Sequence, residues 1–171
     1  MPAGKTYTPI ATTRVTTSSN AVTFSNISSA YTDLVLVCNL LDTSNNQIAI
    51  QVGNGSVDTG SNYSNTRLIG NGSTASSSRN SAAAYMYMGI SGTVFGTCLF
   101  NFQNYSNTTT FKTVLGRTGH SNYDVETTVG LWRSTSAINT IKIYGLQIYL
   151  AQPLPSTEYW RHRLWHIPIL R

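Results

Sequence analysis

The feature that most constrains the fold of this chain is a series of short runs in which apolar and polar residues alternate. The last run occupies residues 129–145, VGLWRSTSAINTIKIYG. In it Ile141 and Ile143 recur at the period of two that a half-buried strand requires. The Ser, Thr and Asn residues between the apolar positions favour turns, because their side chains compete for backbone hydrogen bonds. About ten such runs recur at intervals near a dozen residues, a spacing typical of a sandwich or jelly roll.

The composition favours the same fold. Charged residues make up 10% of the chain and hydrophobic residues 40%, while Ser, Thr and Asn fill roughly a third. Ser, Thr and Asn disfavour helix interiors, whereas Thr, Val, Ile, Tyr and Phe suit a pleated surface. The length of 171 residues is enough for one domain with a real core. The sequence therefore predicts an all-β protein with a single β-sandwich or jelly-roll-like domain.

Proline and glycine mark the boundaries of this domain. Residues 1–9 are predicted to form an extended N-terminal arm, residues 10–152 the sandwich, and residues 153–171 a C-terminal anchoring tail. Within the sandwich, residues 47–52 (QIAIQV) are predicted to be a strand with one wet face, and residues 82–90 a single strand. The polar stretch 53–80 contains repeated Asn-Gly dipeptides, which are tight-turn signals. It is predicted to be an ordered loop region on one rim, in which residues 67–69 could form one short strand between two loops.

The C-terminal tail carries two of the three Trp residues together with three Arg residues. Trp, Tyr and Arg are enriched at the hot spots of protein interfaces. A segment this short and this aromatic cannot bury itself alone, so it must dock on its own domain or on a neighbour. The candidate interface residues in the arm and the tail are Tyr7, Pro9, Tyr159, Trp160, Arg161, Arg163, Leu164, Trp165, Ile167 and Ile169.

No combination of reactive residues predicts catalysis. His120, Ser121 and Asp124 lie close in sequence, but a triad needs a histidine that bridges both partners. His162 and His166 are four residues apart and could share a metal on a helix, yet no third ligand is obvious. The sequence accordingly predicts a protein that is not an enzyme and has no catalytic residue, cofactor or metal site.

The formal net charge of +5 is the balance of eleven basic and six acidic residues, and the basic residues are spread along the chain. A nucleic-acid interface usually concentrates such charge on one element, so no nucleic-acid partner is expected. No apolar run approaches the length of about 20 residues that a membrane helix needs. Cys38 and Cys98 fall in apolar runs and are interpreted as core residues. A disulfide would require neighbouring strands with matched geometry.

Tyrosines set among Asn, Ser and Gly allow an alternative function. Tyr63, Tyr85, Tyr87, Tyr105 and Tyr123 could be exposed and stack on sugar rings while amides bind the hydroxyl groups. The same composition suits a protein–protein surface. The candidate glycan-binding residues are Tyr63, Asn65, Arg67, Tyr85 and Tyr87.

Five segments in order resemble a family of small β-rich virion proteins of tailed bacteriophages: YTPIATT (7–13), AVTFSNISSAY (21–31), TDLVLV (32–37), GSNYSNTRLIGNG (60–72) and GLWRSTSAINTIKIYG (130–145). The resemblance implies a β-sandwich virion component, usually oligomeric, with no known catalytic residues. The family generally finishes near the strand that ends at Gly145, whereas this chain continues to Arg171.

From the resemblance we expect a virion structural protein that is assembled in the host cytoplasm. It would be a capsid decoration (cement) protein or a comparable exterior subunit. Its partners would be major capsid or tail proteins, and it would form a homo-oligomer, most simply a trimer. The alternative is a tail-fibre or receptor-binding module that grips a host glycan with the loops at 53–80.

Overall fold

Two antiparallel β-sheets pack face to face in the computed structural model, which describes residues 9–15, 19–148 and 167–170. The prediction of an all-β sandwich is confirmed. No helix able to span a membrane occurs in these residues. The described strands are β1 (Pro9–Thr13), β2 (Ser19–Phe24), β3 (Leu34–Leu40), β4 (Asn46–Asn54), β5 (Ser56–Val57), β6 (Tyr63–Gly70), β7 (Ala75–Ala83), β8 (Met86–Ser91), β9 (Gly96–Phe102), β10 (Lys112–His120), β11 (Asp124–Trp132), β12 (Thr140–Ile148) and β13 (Ile167–Leu170).

The larger sheet has eight strands in the order β1-β13-β3-β9-β10-β11-β6-β7. The smaller sheet has the order β2-β12-β4-β5, and β8 also pairs with β4. Two tight hairpins, β6–β7 and β10–β11, and a hairpin with a longer loop, β9–β10, build the far half of the larger sheet. Strand β8 packs across β10, β11 and β6, so it closes the sandwich over that half.

The apolar core lies between the sheets and follows from the alternation in the sequence. Leu34 and Leu36 of β3 are fully buried, as are Phe100 and Phe102 opposite them on β9. The smaller sheet contributes Ile48, Ile50 and Val52 from β4 and Ile141 and Ile143 from β12, all buried. The predicted wet face of residues 47–52 is wrong in part. Ala49 and Gln51 are also buried, because β12 and β8 flank β4 and the Gln51 amide donates to the carbonyl of Ala84 (2.9 Å).

The interpretation of residues 53–80 as a loop region is wrong. Strands β6 and β7 form a hairpin there, joined at the Asn71-Gly72 turn, where Gly72 has a φ of 84°. The side chain of Asn71 accepts a hydrogen bond from the amide of Thr74 (2.8 Å) and stabilises this turn. Strand β7 has the sequence ASSSRNSAA and is exposed almost throughout. An edge strand held by its backbone bonds to β6 needs no apolar side chains, which is why hydrophobic patterning gave no signal for it.

The expected single strand at 82–90 is divided between the sheets. Strand β7 ends at Ala83 in the larger sheet, and β8 begins at Met86 in the smaller one. Met86 and Met88 are fully buried and face glycines on the opposite sheet. A Cβ on Gly130 would lie 2.5 Å from the sulfur of Met86, and one on Gly116 would lie 2.6 Å from the terminal methyl group of Met88. These two glycines make room for the methionines.

Both ends of the described chain join the larger sheet. Strand β13 pairs with β3 on one side and with β1 on the other, where Pro9 lies opposite Leu170. Pro9, assigned to the arm, therefore begins a strand of the sheet. Residues 167–170, assigned to the anchoring tail, lie inside the same sheet. The anchoring role of the rest of the tail stays a prediction.

Candidate interaction surface on the larger sheet

The side of β6, β10 and β11 that points away from the smaller sheet carries exposed aliphatic residues. The exposed fractions are 64% for Leu68, 39% for Leu115, 66% for Val125 and 51% for Val129. We call this side of the larger sheet the outer face. It arises because side chains alternate along a strand, and on β10 and β11 every second residue is exposed.

Strand register brings these residues into one patch. Leu115 lies directly opposite Val129, and Leu68 lies opposite Thr127, which separates Val125 from Val129 along β11. Directly opposite residues have Cβ atoms about 4.5–5.5 Å apart, so neighbouring strands extend the patch without a gap. Contiguous exposed apolar patches on soluble proteins are frequently sites of protein–protein contact.

The charges on the outer face all have one sign. Arg117 on β10 is exposed and lies opposite Leu99 of β9 and Thr127 of β11. Arg79 on β7 lies opposite the exposed Thr66. No Asp or Glu occupies an outward position of the described strands from β9 to β7 in the sheet order. The outer face therefore offers apolar contacts and two guanidinium groups, a combination that suits an apolar surface bearing carboxylates.

The inner side of the same strands holds a buried polar cluster, which we define as Arg67, Thr118, His120, Asp124, Glu126 and Thr128. The guanidinium of Arg67 donates to a carboxylate oxygen of Glu126 at 3.0 Å, and their side chains are 15% and 0% exposed. The same guanidinium lies 3.7 Å from the centroid of the Tyr87 ring. Each of Thr118, His120, Asp124, Glu126 and Thr128 has a buried side-chain atom without a hydrogen-bond partner.

Burial dominates the electrostatics of this cluster. Burial, together with the neighbouring carboxyl of Asp124, raises the pKa of Glu126 to about 7, against the opposing effect of Arg67. Burial also raises the pKa of Asp124, while His120 and Arg67 act to lower it. The two carboxyl groups are thus held close together in a desolvated space.

The buried polar cluster contains the residue types of an acid–base catalytic site, but a substrate has no access to them. Asp124 and Glu126 are 6% and 3% exposed, and β8 covers them. A cavity of about 420 Å³ lies elsewhere, where β1 meets the segment that joins β2 to β3; it is lined by Pro9, Ile10, Ala11, Phe24, Ser25, Asn26, Ile27, Ser28 and Tyr31. That lining contains no acid or histidine. Among the described residues no group of three His, Cys, Asp or Glu side chains could hold a metal.

His120 is oriented by a partner other than the triad members. Its Nδ1 atom lies 2.6 Å from Oδ1 of Asn122, and its ring stacks on Tyr123 at a centroid distance of 5.6 Å. Ser121 is exposed in the turn between β10 and β11. In a Ser-His-Asp triad the carboxylate binds the Nδ1 atom of the histidine. In this structure Asn122, and not Asp124, lies at that atom.

The tyrosines predicted to be exposed on the rim are mostly interior. Tyr63 is 0% exposed, Tyr87 5% and Tyr105 0%, so the expectation of exposure is wrong for these three. The hydroxyl of Tyr63 accepts from the amide of Val52 (3.1 Å) and donates to its carbonyl (2.8 Å). These bonds allow the ring to be buried without an unpaired polar group.

The structure brings three of the candidate glycan-binding residues together. The side chain of Asn65 is buried and accepts from the amide of Tyr87 (3.1 Å), and Arg67 covers the Tyr87 ring. Tyr85 is half-buried, with its ring centroid 5.8 Å from that of Tyr144 in an edge-to-face contact. These residues pack the interior and present no open aromatic platform.

Most candidate interface residues fall outside the described part of the chain. Pro9 lies in β1, and Ile167 and Ile169 lie in β13. The residues outside the described ranges are Tyr7, Tyr159, Trp160, Arg161, Arg163, Leu164 and Trp165, together with the histidines at 162 and 166.

No family model, no curated protein and no solved structure matches this chain.

Sequence reasoning did not identify the outer face. The signal for it is the alternation within residues 124–132, where Val125, Val129 and Leu131 occupy one side of β11 and Asp124 and Glu126 the other. Patterning alone would place the valines inside. Only the burial of Trp132, on the side of the acids, shows that the strand faces the other way.

Proposed function

We propose that this protein is a structural subunit of a bacteriophage particle that binds neighbouring particle proteins through the outer face of its larger sheet. The outer face is the observation that carries the proposal, because it exposes Leu68, Leu115, Val125 and Val129 as one patch. The resemblance to virion proteins supports the kind of assembly. A capsid decoration protein is the form that we propose.

The charge on the outer face supports one kind of partner. Arg79 and Arg117 are its charged residues on the described strands, so two copies that met face to face would bring guanidinium groups together. Like charges directly opposed across a contact are unfavourable. The partner is therefore a different protein surface that combines apolar side chains with carboxylates, such as that of a major capsid protein. Trimer formation, which belongs to the same proposal, would use other surfaces.

The interior supports assembly over catalysis. The buried polar cluster collects two carboxyl groups, a histidine and an arginine, but Asp124 and Glu126 are almost completely covered. Burial of Tyr63 and Tyr87 gives less support to the glycan-binding alternative, although Tyr123 is 47% exposed. This alternative enters the test below as an outcome and is not a second proposal.

The test measures binding of purified protein to empty capsids of its phage that lack this protein. A double variant, Leu115→Gln with Val129→Gln, removes the apolar centre of the outer face. We expect it to bind at least about tenfold more weakly, because two aliphatic contacts contribute more than the 1.4 kcal/mol that a factor of ten represents. Both wild-type and variant protein should unfold at the same temperature.

The matched control is Asn20→Gln with Thr23→Gln, two exposed residues of β2 in the smaller sheet. It should bind capsids as the wild type does. Capsid binding that survives in the outer-face variant would overturn the proposal. So would binding to host polysaccharide instead of capsids. Deletion of residues 153–171 is a poorer test, because it removes β13 and with it the partner strand of β1.

A further inference from the structure

Two cysteines face each other across neighbouring strands of the larger sheet. Cys38 on β3 and Cys98 on β9 are direct partners in the antiparallel register. Both point inward, between the fully buried pair Leu36–Phe100 and the pair Leu40–Gly96, of which Leu40 is buried. The two thiols are free, with 0% and 2% exposure. A disulfide requires the two cysteines to lie on neighbouring strands, which the sequence could not establish, and β3 and β9 are such neighbours.

The register places the two cysteines within reach of a disulfide. Directly opposite residues in an antiparallel pair have Cα atoms about 4.5 or 5.5 Å apart, depending on their place in the hydrogen-bond ladder. Disulfides span Cα distances of about 4.4–6.8 Å, so either place is permitted. Their Cβ atoms are about 3.5–4.5 Å apart in a disulfide and about 4.5–5.5 Å apart in a sheet pair. Closing the bond therefore draws the two strands slightly together.

We propose that Cys38 and Cys98 are a redox-sensitive pair that forms an intrachain disulfide when the protein meets an oxidised small-molecule disulfide. The proposal is independent of what the outer face binds. The slight contraction that the bond requires makes it a strained cross-strand disulfide, and strained disulfides are more readily reduced than relaxed ones. The pair is thus reversible, unlike a permanent structural staple.

The reaction proceeds by two thiol–disulfide exchanges. One cysteine thiolate attacks a sulfur of glutathione disulfide, which forms a mixed disulfide and releases one glutathione thiolate. The second cysteine thiolate then attacks the protein sulfur of that mixed disulfide and releases the second glutathione. The protein loses two electrons and two protons, and one glutathione disulfide becomes two glutathione thiols.

Burial makes the reaction slow in the closed sandwich. Burial raises the pKa of Cys98 to about 12, and it raises the pKa of Cys38 well above its usual value, with a further contribution from the neighbouring Cys98. The thiolate is therefore scarce until the strands open locally. Cys38 lies two residues before the end of β3 and Cys98 two residues after the start of β9, so opening needs only the ends of these strands to separate.

The experiment incubates the full chain with glutathione disulfide, in the absence of denaturant and in urea below the unfolding midpoint. Mass spectrometry and a thiol count in denaturant then report the product. We expect two fewer free thiols per chain, no retained glutathione and no cross-linked dimer, at a rate that rises with urea. The closed loop of about 60 residues should raise the unfolding temperature by roughly 5–10 °C.

Single variants Cys38→Ala and Cys98→Ala serve as controls, since each should stop at a glutathione adduct. Treatment of the oxidised wild type with reduced glutathione should restore both thiols and the original unfolding temperature. Retention of two free thiols at all urea concentrations, a stable glutathione adduct on the wild type, or a disulfide-linked dimer would each overturn the proposal.

Discussion

The two halves of the larger sheet differ in what their inward sides bury. In the half formed by β3 and β9, Leu34, Leu36, Phe100 and Phe102 are fully buried. The half formed by β10, β11 and β6 buries apolar residues at one end, Tyr63, Val114 and Trp132. At its other end it buries an ion pair and a second carboxyl group, while aliphatic residues face outward. We call this the inverted half, because its polarity is reversed at that end.

The inverted half is costly for an isolated subunit. Burial of carboxyl groups carries a desolvation penalty that an ion pair offsets only in part. The exposed side chains of Leu115 and Val129 contribute no hydrophobic stabilisation until another surface covers them. We therefore expect the β3–β9 half to contribute more to the stability of the isolated chain, and the proposal that the outer face binds a partner concerns the inverted half.

The largest expected effect separates the two halves directly. Phe100→Ala should lower the free energy of unfolding by about 3–5 kcal/mol, because it removes a fully buried ring and leaves a cavity. Leu115→Ala on the outer face should lower it by no more than about 0.5 kcal/mol. Urea unfolding of both variants measures the difference. Equal losses would show that the outer face supports the isolated fold.

The next effect concerns the buried ion pair. Arg67→Met should lower the free energy of unfolding by about 2–4 kcal/mol at pH 8, since it leaves the Glu126 carboxylate buried without its cation. At pH 5 the cost should be smaller, because Glu126, with a pKa of about 7, is then neutral. The matched control is Arg117→Met on the outer face, which should change stability little at either pH. If both variants lower the free energy of unfolding equally, the Arg67–Glu126 pair stabilises the fold no more than an exposed arginine does.

A smaller effect follows from the pKa of Glu126. This pKa is about 7 in the folded protein and 4.5 as the ordinary value. Between those values the folded state binds more protons than the unfolded state, so the free energy of unfolding falls as pH rises from about 4.5 to about 7. We expect a fall of about 1–3 kcal/mol, and the raised pKa of Asp124 acts in the same direction. Urea titrations from pH 4.5 to 8 measure it.

Glu126→Gln should remove most of that pH dependence. Asp33→Asn, which alters an exposed carboxyl group at the other half of the sheet, should leave it intact. A wild-type curve without this slope would mean that Glu126 keeps its ordinary pKa in the folded protein, and a slope of the opposite sign would mean that folding lowers its pKa.

The smallest expected effect tests the outer face itself. Leu68→Thr and Val125→Thr place a residue with high strand propensity at each position, and both sites are more than half exposed. Each should change the free energy of unfolding by less than about 0.5 kcal/mol. Calorimetry of the purified variants provides the measurement. A larger loss would indicate that these side chains already contact part of the same chain.

Sequence predicts the β3–β9 half well and the inverted half poorly. The near-continuous apolar run in LVLVCNL and the alternation in GTCLFNF predict those strands, and their inward residues are apolar. On β11 either the odd-numbered or the even-numbered residues could face inward, because side chains alternate between the two sides of a strand and all those on one side turn together. Trp132 fixes the choice. It is 3% exposed, its indole N–H donates to Asp58 (2.8 Å), and Glu126 and Asp124 must share its side.

The remaining errors also have physical causes. Strand β7 carries no apolar pattern, so only its partner β6 makes it a strand. Tyrosine has an apolar ring with a polar end, and its neighbours in sequence do not show whether a buried backbone group will pair with the hydroxyl. The hydroxyl of Tyr63 donates to the carbonyl of Val52, and the hydroxyl of Tyr105 donates to the carbonyl of Ser28.

The position of β13 between β1 and β3 has a consequence for synthesis. Strand β3 must wait for residues 167–170 before its outer edge is paired, although β9 can pair with its other edge much earlier. Strand β1 has no described partner except β13. On the ribosome, the edge of β3 that pairs with β13 would therefore stay unpaired until residues 167–170 have been translated. The closing of this side of the sheet depends on β13, and a chain stalled before β13 would expose that edge of β3 to aggregation.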